Sequence, residues 1–382
     1  MLIINDFFVR YKEAVSNQME SISKSNNGKI ISATRFMGQK ALQEEDKKDN
    51  IYVYSPVRYY LETIKAILNS KDERVHVFEE EPCLWKRILF NKSGNPLYVS
   101  MYRRPTKEYA EHLKKYNNLR KVFVELPAHK KILIENGIEE EKVDVTPTPS
   151  KIPRKKSDKR YDPDNVNILF ASWNNKEGDA VRERGLEFIL KLLKENPNFT
   201  LTIPLRDNDT ESFEKIAKEL GVWDRVSLLE IHNDTERLIE LFDNSDFVAF
   251  VPQKRIVKDV PNSLIDGIVR GKPVIISDVI DFSGVVNNEN IGIVFQKGVK
   301  PGRLNIDEDT YSTLSENAYR YSEIHSIEKY LEVIESAYYG HKEQNKFKQD
   351  LKKKVDSSVL MKRKGDVVRN ENSNNQYMGN IK

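Results

Sequence analysis

Along most of the chain, short runs of apolar residues alternate with longer stretches in which apolar positions recur at helical spacing. That pattern predicts parallel strands covered by helices, an α/β fold. In the first half, strands are expected at Leu2–Asn5, Lys29–Ala33, Ile51–Tyr54, Val75–Phe78, Leu97–Met101 and Lys121–Val124. Helices are expected at Tyr59–Leu68, Thr106–Tyr116 and His129–Asn136, the last stopped by Gly137. The second half restarts with a strand at Asn167–Ser172 and a helix over Arg184–Glu195, then strands at Phe199–Pro204, Val226–Glu230, Phe247–Val251, Val274–Ile276 and Gly292–Phe295. Between them lie helices at Thr210–Leu220, Thr235–Phe242 and Ser263–Arg270, and a longer helical region covers Thr310–Ala337.

The run from Val260 to Ser277 is the most informative. Its loop ends at Pro261, Asn262 is a favoured N-cap, Leu264, Ile265, Ile268 and Val269 share a helix face, and Gly271 stops the helix before an apolar strand. The backbone N–H groups of Asn262 to Ile265 would lack helical partners, and such a terminus attracts phosphate. Asp266, about one turn in, can only accept hydrogen bonds, as from a ribose or sugar hydroxyl. Donors beside an acceptor suit a sugar nucleotide; an N-capped helix carrying a solvated carboxylate is the plainer alternative.

Residues 150–165 are charged, contain Pro153 and Pro163, and show no apolar periodicity, so they read as a linker. The domains expected are residues 1–149 and 166–338, followed by a basic tail over 339–382. In that tail Phe347, Leu351, Val355, Val359 and Leu360 recur at helical spacing among lysines, which fits either a solvated tail or a basic amphipathic helix on an anionic membrane.

Composition narrows the class. The 382 residues are enough for two domains, and 62 Lys and Arg against 59 Asp and Glu leave a net charge of +3, no global footprint for nucleic acid. One cysteine, Cys83, excludes an internal disulfide or a thiolate zinc cluster. No apolar run reaches membrane-spanning length and the N-terminal apolar stretch is too short for a signal peptide, so a cytoplasmic location is expected, with the membrane's inner face as the tail's candidate contact.

The second half resembles the donor domain of GT-B glycosyltransferases of the large family 4 group, in residues that follow the family's order. These are the strand at Asn167–Ser172, Arg184-Gly185 where members carry Lys-Gly, Leu220-Gly221, Asp224-Arg225-Val226, Asp246, then Pro261-Asn262-Ser263, Asp266 and Gly271-Lys272-Pro273-Val274-Ile275. The first half is similar more loosely, through Val122-Phe123-Val124-Glu125, Asn136-Gly137-Ile138 and Lys142 to Pro147. The resemblance implies two Rossmann-like domains facing across a cleft, acceptor side first and donor side second, and transfer of a hexose-type sugar from a nucleotide-sugar donor to a glycan, lipid-linked or protein acceptor. Retention is the outcome it favours, without a metal or other cofactor.

It further implies that Arg184 contacts the donor diphosphate, that the Ser263 region, with Ser172, Asn262 and Leu264, holds phosphate, and that Asp266 is the second acid of the family's paired-acid motif. The first acid would fall where Lys258 stands, beside Asp259. An Arg usual after the first donor strand is replaced by Trp173, with Arg182 able to supply the charge. No glycine precedes Gly28, so the glycine-rich loop common after the first strand is absent. Arg184 also reads as a surface residue between Glu183 and Glu187.

In the first half, Tyr102 occupies the position of a catalytic His in many relatives, although a phenol at its ordinary pKa is a poor base. Arg103 and Arg104 either meet an anionic acceptor or end a loop. Glu125, at a strand end, is an acceptor-site candidate, and His129 reads as a helix-surface residue. The Asp-x-Asp triplets at 162, 207 and 307 read as acidic loops and helix caps, and the histidines show no ligand spacing. Two other classes stay open, a non-catalytic GT-B subunit that binds nucleotide sugar or a partner, and a nucleotide-sugar epimerase. No Gly-x-Gly-x-x-Gly follows a strand, which argues against a nicotinamide enzyme.

Overall fold

The computed structural model describes residues 1–5, 14–33, 51–53, 56–70, 73–78, 84–172, 180–205, 210–231, 234–255 and 258–340. Cys83, Trp173, the Asp207 triplet and the basic segment from Phe347 lie outside these residues. The chain forms two compact units, Met1–Leu331, which carries both sheets, and Glu332–Lys382.

The first half runs β1 (Leu2–Asn5), α1 (Ala14–Ser25), β2 (Lys29–Ala33), β3 (Ile51–Val53), α2 (Pro56–Asn69), β4 (Val75–Phe78), α3 (Leu84–Ser93), β5 (Leu97–Met101), α4 (Lys107–Leu113), β6 (Leu119–Val124), α5 (Pro127–Glu135) and β7 (Val143–Val145). Its strands pair in parallel in the order β3-β2-β1-β4-β5-β6-β7. The second half runs β8 (Val166–Leu169), α6 (Ala180–Glu183), α7 (Leu186–Glu195), β9 (Phe199–Leu205), α8 (Glu211–Glu219), β10 (Val226–Glu230), α9 (Thr235–Asn244), β11 (Phe247–Phe250), α10 (Asn262–Ile268), β12 (Val274–Ser277), α11 (Phe282–Glu289), β13 (Gly292–Phe295) and α12 (Glu308–Tyr321). A last helix, α13, covers 327–340. The second sheet is parallel in the order β10-β9-β8-β11-β12-β13.

Both orders reverse direction beside their first strand, so each sheet has a crevice at its carboxyl edge where that strand pairs with the fourth strand of its half. In the second sheet this switch point lies between β8 and β11. The strands flanking it are mostly apolar because helices cover both faces: β8 (VNIL) buries Val166, Ile168 and Leu169, and β11 (FVAF) is buried at every position. Helix α7 is nearly as apolar, burying Leu186, Phe188, Ile189, Leu190, Leu192 and Leu193. Each such side chain contributes roughly 1.5–3 kcal/mol. The helix stops at Asn196, whose side chain donates to the Leu192 and Gly302 carbonyls.

Residues 150–161 lie along the second half. Lys155 and Ser157 donate backbone N–H groups to the carbonyls of Val269 and Arg270, Ser150 donates to His325 O, and the Tyr161 ring stacks on Tyr311 with centroids 4.0 Å apart. The helical region expected as one piece from Thr310 is broken after Tyr321 by a 3-10 turn at Ser322–His325.

Candidate active site

Three side chains converge at the second sheet's switch point. Ser172 follows β8, Ser263 lies in the first turn of α10 after β11, and their hydroxyls are hydrogen-bonded to each other. Arg184 reaches the same place, its Nη1 donating to Ser172 O at 2.9 Å. Gly185 makes this approach possible. Its φ is +88°, and a Cβ there would sit 1.9 Å from Val251 O, so only glycine lets the chain pass this close to the end of β11.

Helix α10 begins one residue earlier than expected. Pro261 is its N-cap, with no side-chain cap bond, and Asn262 is already helical. The N–H groups of Leu264 and Ile265 donate to Pro261 O at 3.1 and 3.4 Å, so those of Asn262 and Ser263 stand ahead of that carbonyl at the helix start. Gly267 seats the helix against β11, since a Cβ there would meet the Val248 side chain at 2.5 Å.

Lys258 joins this group to the first sheet. Its Nζ donates to Asn262 Oδ1 at 2.8 Å, lies 3.1 Å from Glu125 Oε1 and sits 5.1 Å from the centre of the Tyr102 ring. Glu125 follows β6 and is buried, and it accepts a hydrogen bond from Thr148 Oγ1. Tyr102 follows β5 and donates its phenol proton to Gln18 Oε1. Tyr330 is fully buried, and burial raises its phenol pKa. Thus Tyr102, Glu125, Lys258, Asn262, Ser263, Ser172 and Arg184 line one region.

The other expected residues are placed elsewhere. Arg182 is exposed and pairs with Glu187 at 3.0 Å. The Leu264 side chain is fully buried in the core of the second half. Asp266 is buried, and its Oδ1 accepts from Ser150 Oγ at 2.7 Å and Lys151 N at 3.4 Å. Burial raises its pKa, opposed by the Ser150 hydroxyl and the Lys151 charge.

Asp259 belongs to a second cluster, and His129, expected on a helix surface, proves wholly buried within it. His129 Nε2 lies 3.1 Å from Asp259 Oδ2 and 3.4 Å from Asp281 Oδ2. Arg255 Nη1 holds both Asp259 oxygens, at 2.7 and 3.0 Å, while Arg255 Nη2 and Arg104 Nη1 reach Asp281 Oδ1 at 3.0 and 2.9 Å. Burial is the largest influence on His129 and lowers its pKa, but the two carboxylates together outweigh it and leave it raised. Burial likewise pushes the Asp281 carboxyl up, yet His129, Arg255 and Arg104 bring it down to about 2. The His129, Asp259 and Asp281 ligand atoms lie within 4.8 Å of one another, a grouping that could hold a metal ion. Two guanidinium groups already neutralise its carboxylates, which sets the cluster up as an ion-pair network between the halves.

Two parallel sheets of this order in one chain define the GT-B fold class of glycosyltransferase structures. The family model described as Glycosyl transferases group 1 matches residues 178–306. Among solved structures, HepE from Anabaena in complex with UDP is similar at a TM-score of 0.67, with 14% identity over 88% of this chain and 99% of that one. HepE in complex with UDP-glucose gives 0.63, with 13% identity over 88% and 99%. The apo form of the lipopolysaccharide outer core galactosyltransferase WaaB gives 0.61, with 13% identity over 88% and 98%. No curated protein sequence matches the chain. Among the described residues no helix is long and apolar enough to cross a membrane.

Proposed function

We propose that the protein transfers a hexose-type sugar from a nucleotide donor to a glycan, lipid-linked or protein acceptor, with retention and without a metal. The observation that carries this reading is the meeting of Ser172, Arg184 and Ser263 at the switch point, the last two inside the segment that matches the glycosyltransferase family model. HepE, similar in fold, was crystallised with UDP and with UDP-glucose, which supports a uridine-diphosphate sugar as the donor to try first.

In this reading Arg184 and the Asn262–Ser263 N–H groups receive the diphosphate. The bond between the anomeric carbon and the diphosphate oxygen breaks while an acceptor hydroxyl attacks the same face. Its proton passes to the departing phosphate oxygen, so no side-chain base is required. Arg184 and Lys258 stabilise the charge that develops on that oxygen. Glu125 fixes Lys258 and faces the acceptor side, and Tyr102 forms a wall beneath Lys258, its phenol proton engaged by Gln18. Asp266 acts through the linker, by holding Ser150 against α10, and Asp259 through the His129 network.

The test is to incubate the purified chain with a panel of sugar nucleotides and measure nucleotide release and transfer of labelled sugar to lipid and glycan extracts. Transfer from one donor, reduced by Arg184→Ala, is the expected result. Binding of UDP with no release or transfer from any donor would favour the non-catalytic subunit, a reading prompted by Lys258 at the first acidic position.

A further inference from the structure

The linker closes over a cavity that donor binding does not use. Its volume is about 240 Å³, and its walls are linker residues between Lys156 and Tyr161, the turn Arg270–Lys272, and a face of α12 that carries Tyr311, Ser312 and Ser315. Lys272 precedes β12, so the cavity lies at the amino edge of the second sheet, whereas Ser172 and Ser263 stand at its carboxyl edge. Strand β11, four residues long, separates the two edges by about 13 Å.

Five cations line the cavity, and their partners differ in charge. Arg270 is fully engaged, since its guanidinium holds both Asp243 oxygens at 2.7 and 2.6 Å and donates to Pro153 O. Lys159 pairs with Asp246 and Lys156 with Glu316. Arg160, its side chain 89% exposed, comes within 3.7 Å of Glu308. Lys272 is different. It is 1% exposed, and the hydrogen bond its Nζ makes among the described residues is to a neutral group, Asp243 O, at 2.9 Å. Five cations against Asp243, Asp246, Glu308 and Glu316 leave one positive charge in excess, and Lys272 is the ammonium without a carboxylate hydrogen-bonded to it.

Burial draws the Lys272 amine down to about 8; Asp246 and Asp243 oppose that fall, and Lys159 and Arg270 add to it. A buried ammonium in a cavity wall, short of a counter-ion, is stabilised by an anion that enters. Lys272 and Lys159 each keep two ammonium protons beyond the partners named, and with the Arg160 guanidinium they offer donors from more than one side, which suits a tetrahedral oxyanion. At about 240 Å³ the cavity is below the usual size for a drug-sized ligand, so its occupant is small.

We infer that this cavity is an anion site, which takes orthophosphate or the phosphate group of a small phosphomonoester on Lys272, Lys159 and Arg160. Bound there, the anion bridges the linker, the turn after α10 and helix α12. The site is separate from the one that receives the donor diphosphate and does not depend on whether sugar is transferred.

The experiment titrates inorganic phosphate by calorimetry into the full wild-type chain and into Arg184→Ala, without any sugar nucleotide. Both should bind it with a Kd of about 1 mM or tighter. Placed in the Arg184→Ala chain, Lys272→Met removes the charge but keeps the stem, and Ser312→Glu sets a carboxylate on the same wall. Each should weaken phosphate binding by about tenfold or more. Ser312 is exposed, so its variant decides the matter even if Lys272→Met lowers the melting temperature. The inference is overturned if the wild type binds no phosphate up to about 10 mM, or if both added substitutions leave binding unchanged. Loss of all phosphate binding in Arg184→Ala alone also overturns it, because the ion would then belong to the donor end.

Discussion

Glu125 Oε1 and Lys258 Nζ lie 3.1 Å apart, a carboxylate at the end of β6 paired with an ammonium from the loop before α10. The glutamate side chain is 2% exposed and the lysine 20%. Removing one partner leaves the other charge poorly solvated, while removing both leaves only a polar gap. Lys258→Met should therefore destabilise the protein by about 1–3 kcal/mol. Adding Glu125→Gln should restore part of that loss, as read from urea midpoints in a double-mutant cycle. Simple additivity would show that the pair does not couple the two halves.

Arg184 is the side chain on which donor binding should depend most. Arg184→Ala is expected to weaken UDP binding by roughly 10- to 100-fold, the worth of charge-assisted hydrogen bonds to phosphate. Arg184→Lys should fall between, since a point charge replaces a planar fork. Calorimetric titration with UDP checks both, and an unchanged affinity in Arg184→Ala would remove the arginine from the donor site.

Gly185 and Gly221 form a matched pair for testing the close approach at β11. Both have positive φ, +88° and +70°, but only Gly185 has backbone where a Cβ would go, and nothing lies within 4 Å of that position at Gly221. Gly221→Ala should cost about 1 kcal/mol, the strain of the left-handed conformation alone. Gly185→Ala should cost well beyond that and abolish UDP binding, because the segment carrying Arg184 must back away from Val251. Equal melting temperatures for the two variants would contradict the packing.

Stability should respond to pH in opposite senses at different histidines. The pKa of His129 is raised above its ordinary 6.5 in the folded chain. Its contribution is therefore complete below about pH 6.5 and disappears as pH rises through the raised value. His76 and His325 are buried, which draws them down to about 3 and about 4. Below about pH 6.5 the unfolded chain takes up protons at these two positions that the folded chain refuses, so stability falls as pH drops toward those values. Urea midpoints measured from about pH 4 to about pH 9 should thus decline on both sides. His129→Gln should flatten the alkaline decline and leave the acid decline in place.

The strands of both sheets were legible because parallel strands covered on both faces are nearly continuous apolar runs. Several elements were not, the helices α6 and α11 among them. Helix α1 buries Ser16 and Gln18 beside Met19 and Ile22, so its inward face is not uniformly apolar. Helix α3 buries Lys86 and Phe90 while exposing Leu84 and Ile88, an inversion of the usual pattern. Strand β7 is only three residues long. At the site, Arg184-Gly185 and Ser263 were readable as local motifs. The burial of His129 was not, since the groups that enclose it, Asp259 and Asp281, lie 130 and more positions away. The engagement of Asp266 by Ser150 likewise depends on a linker whose composition carries no sign of where it packs.

That linker has a consequence for how the chain meets a protease. With Lys151, Arg154, Lys155, Lys156, Lys159 and Arg160 it looks like the most trypsin-sensitive stretch between the two sheets. Cleavage, however, requires a segment of backbone to peel away and extend through the enzyme's cleft. Here the N–H groups of Lys155 and Ser157 are tied to Val269 and Arg270, and Tyr161 is clamped on Tyr311. Brief digestion should therefore spare this stretch, and the two halves should remain one covalent piece until the second half itself unfolds.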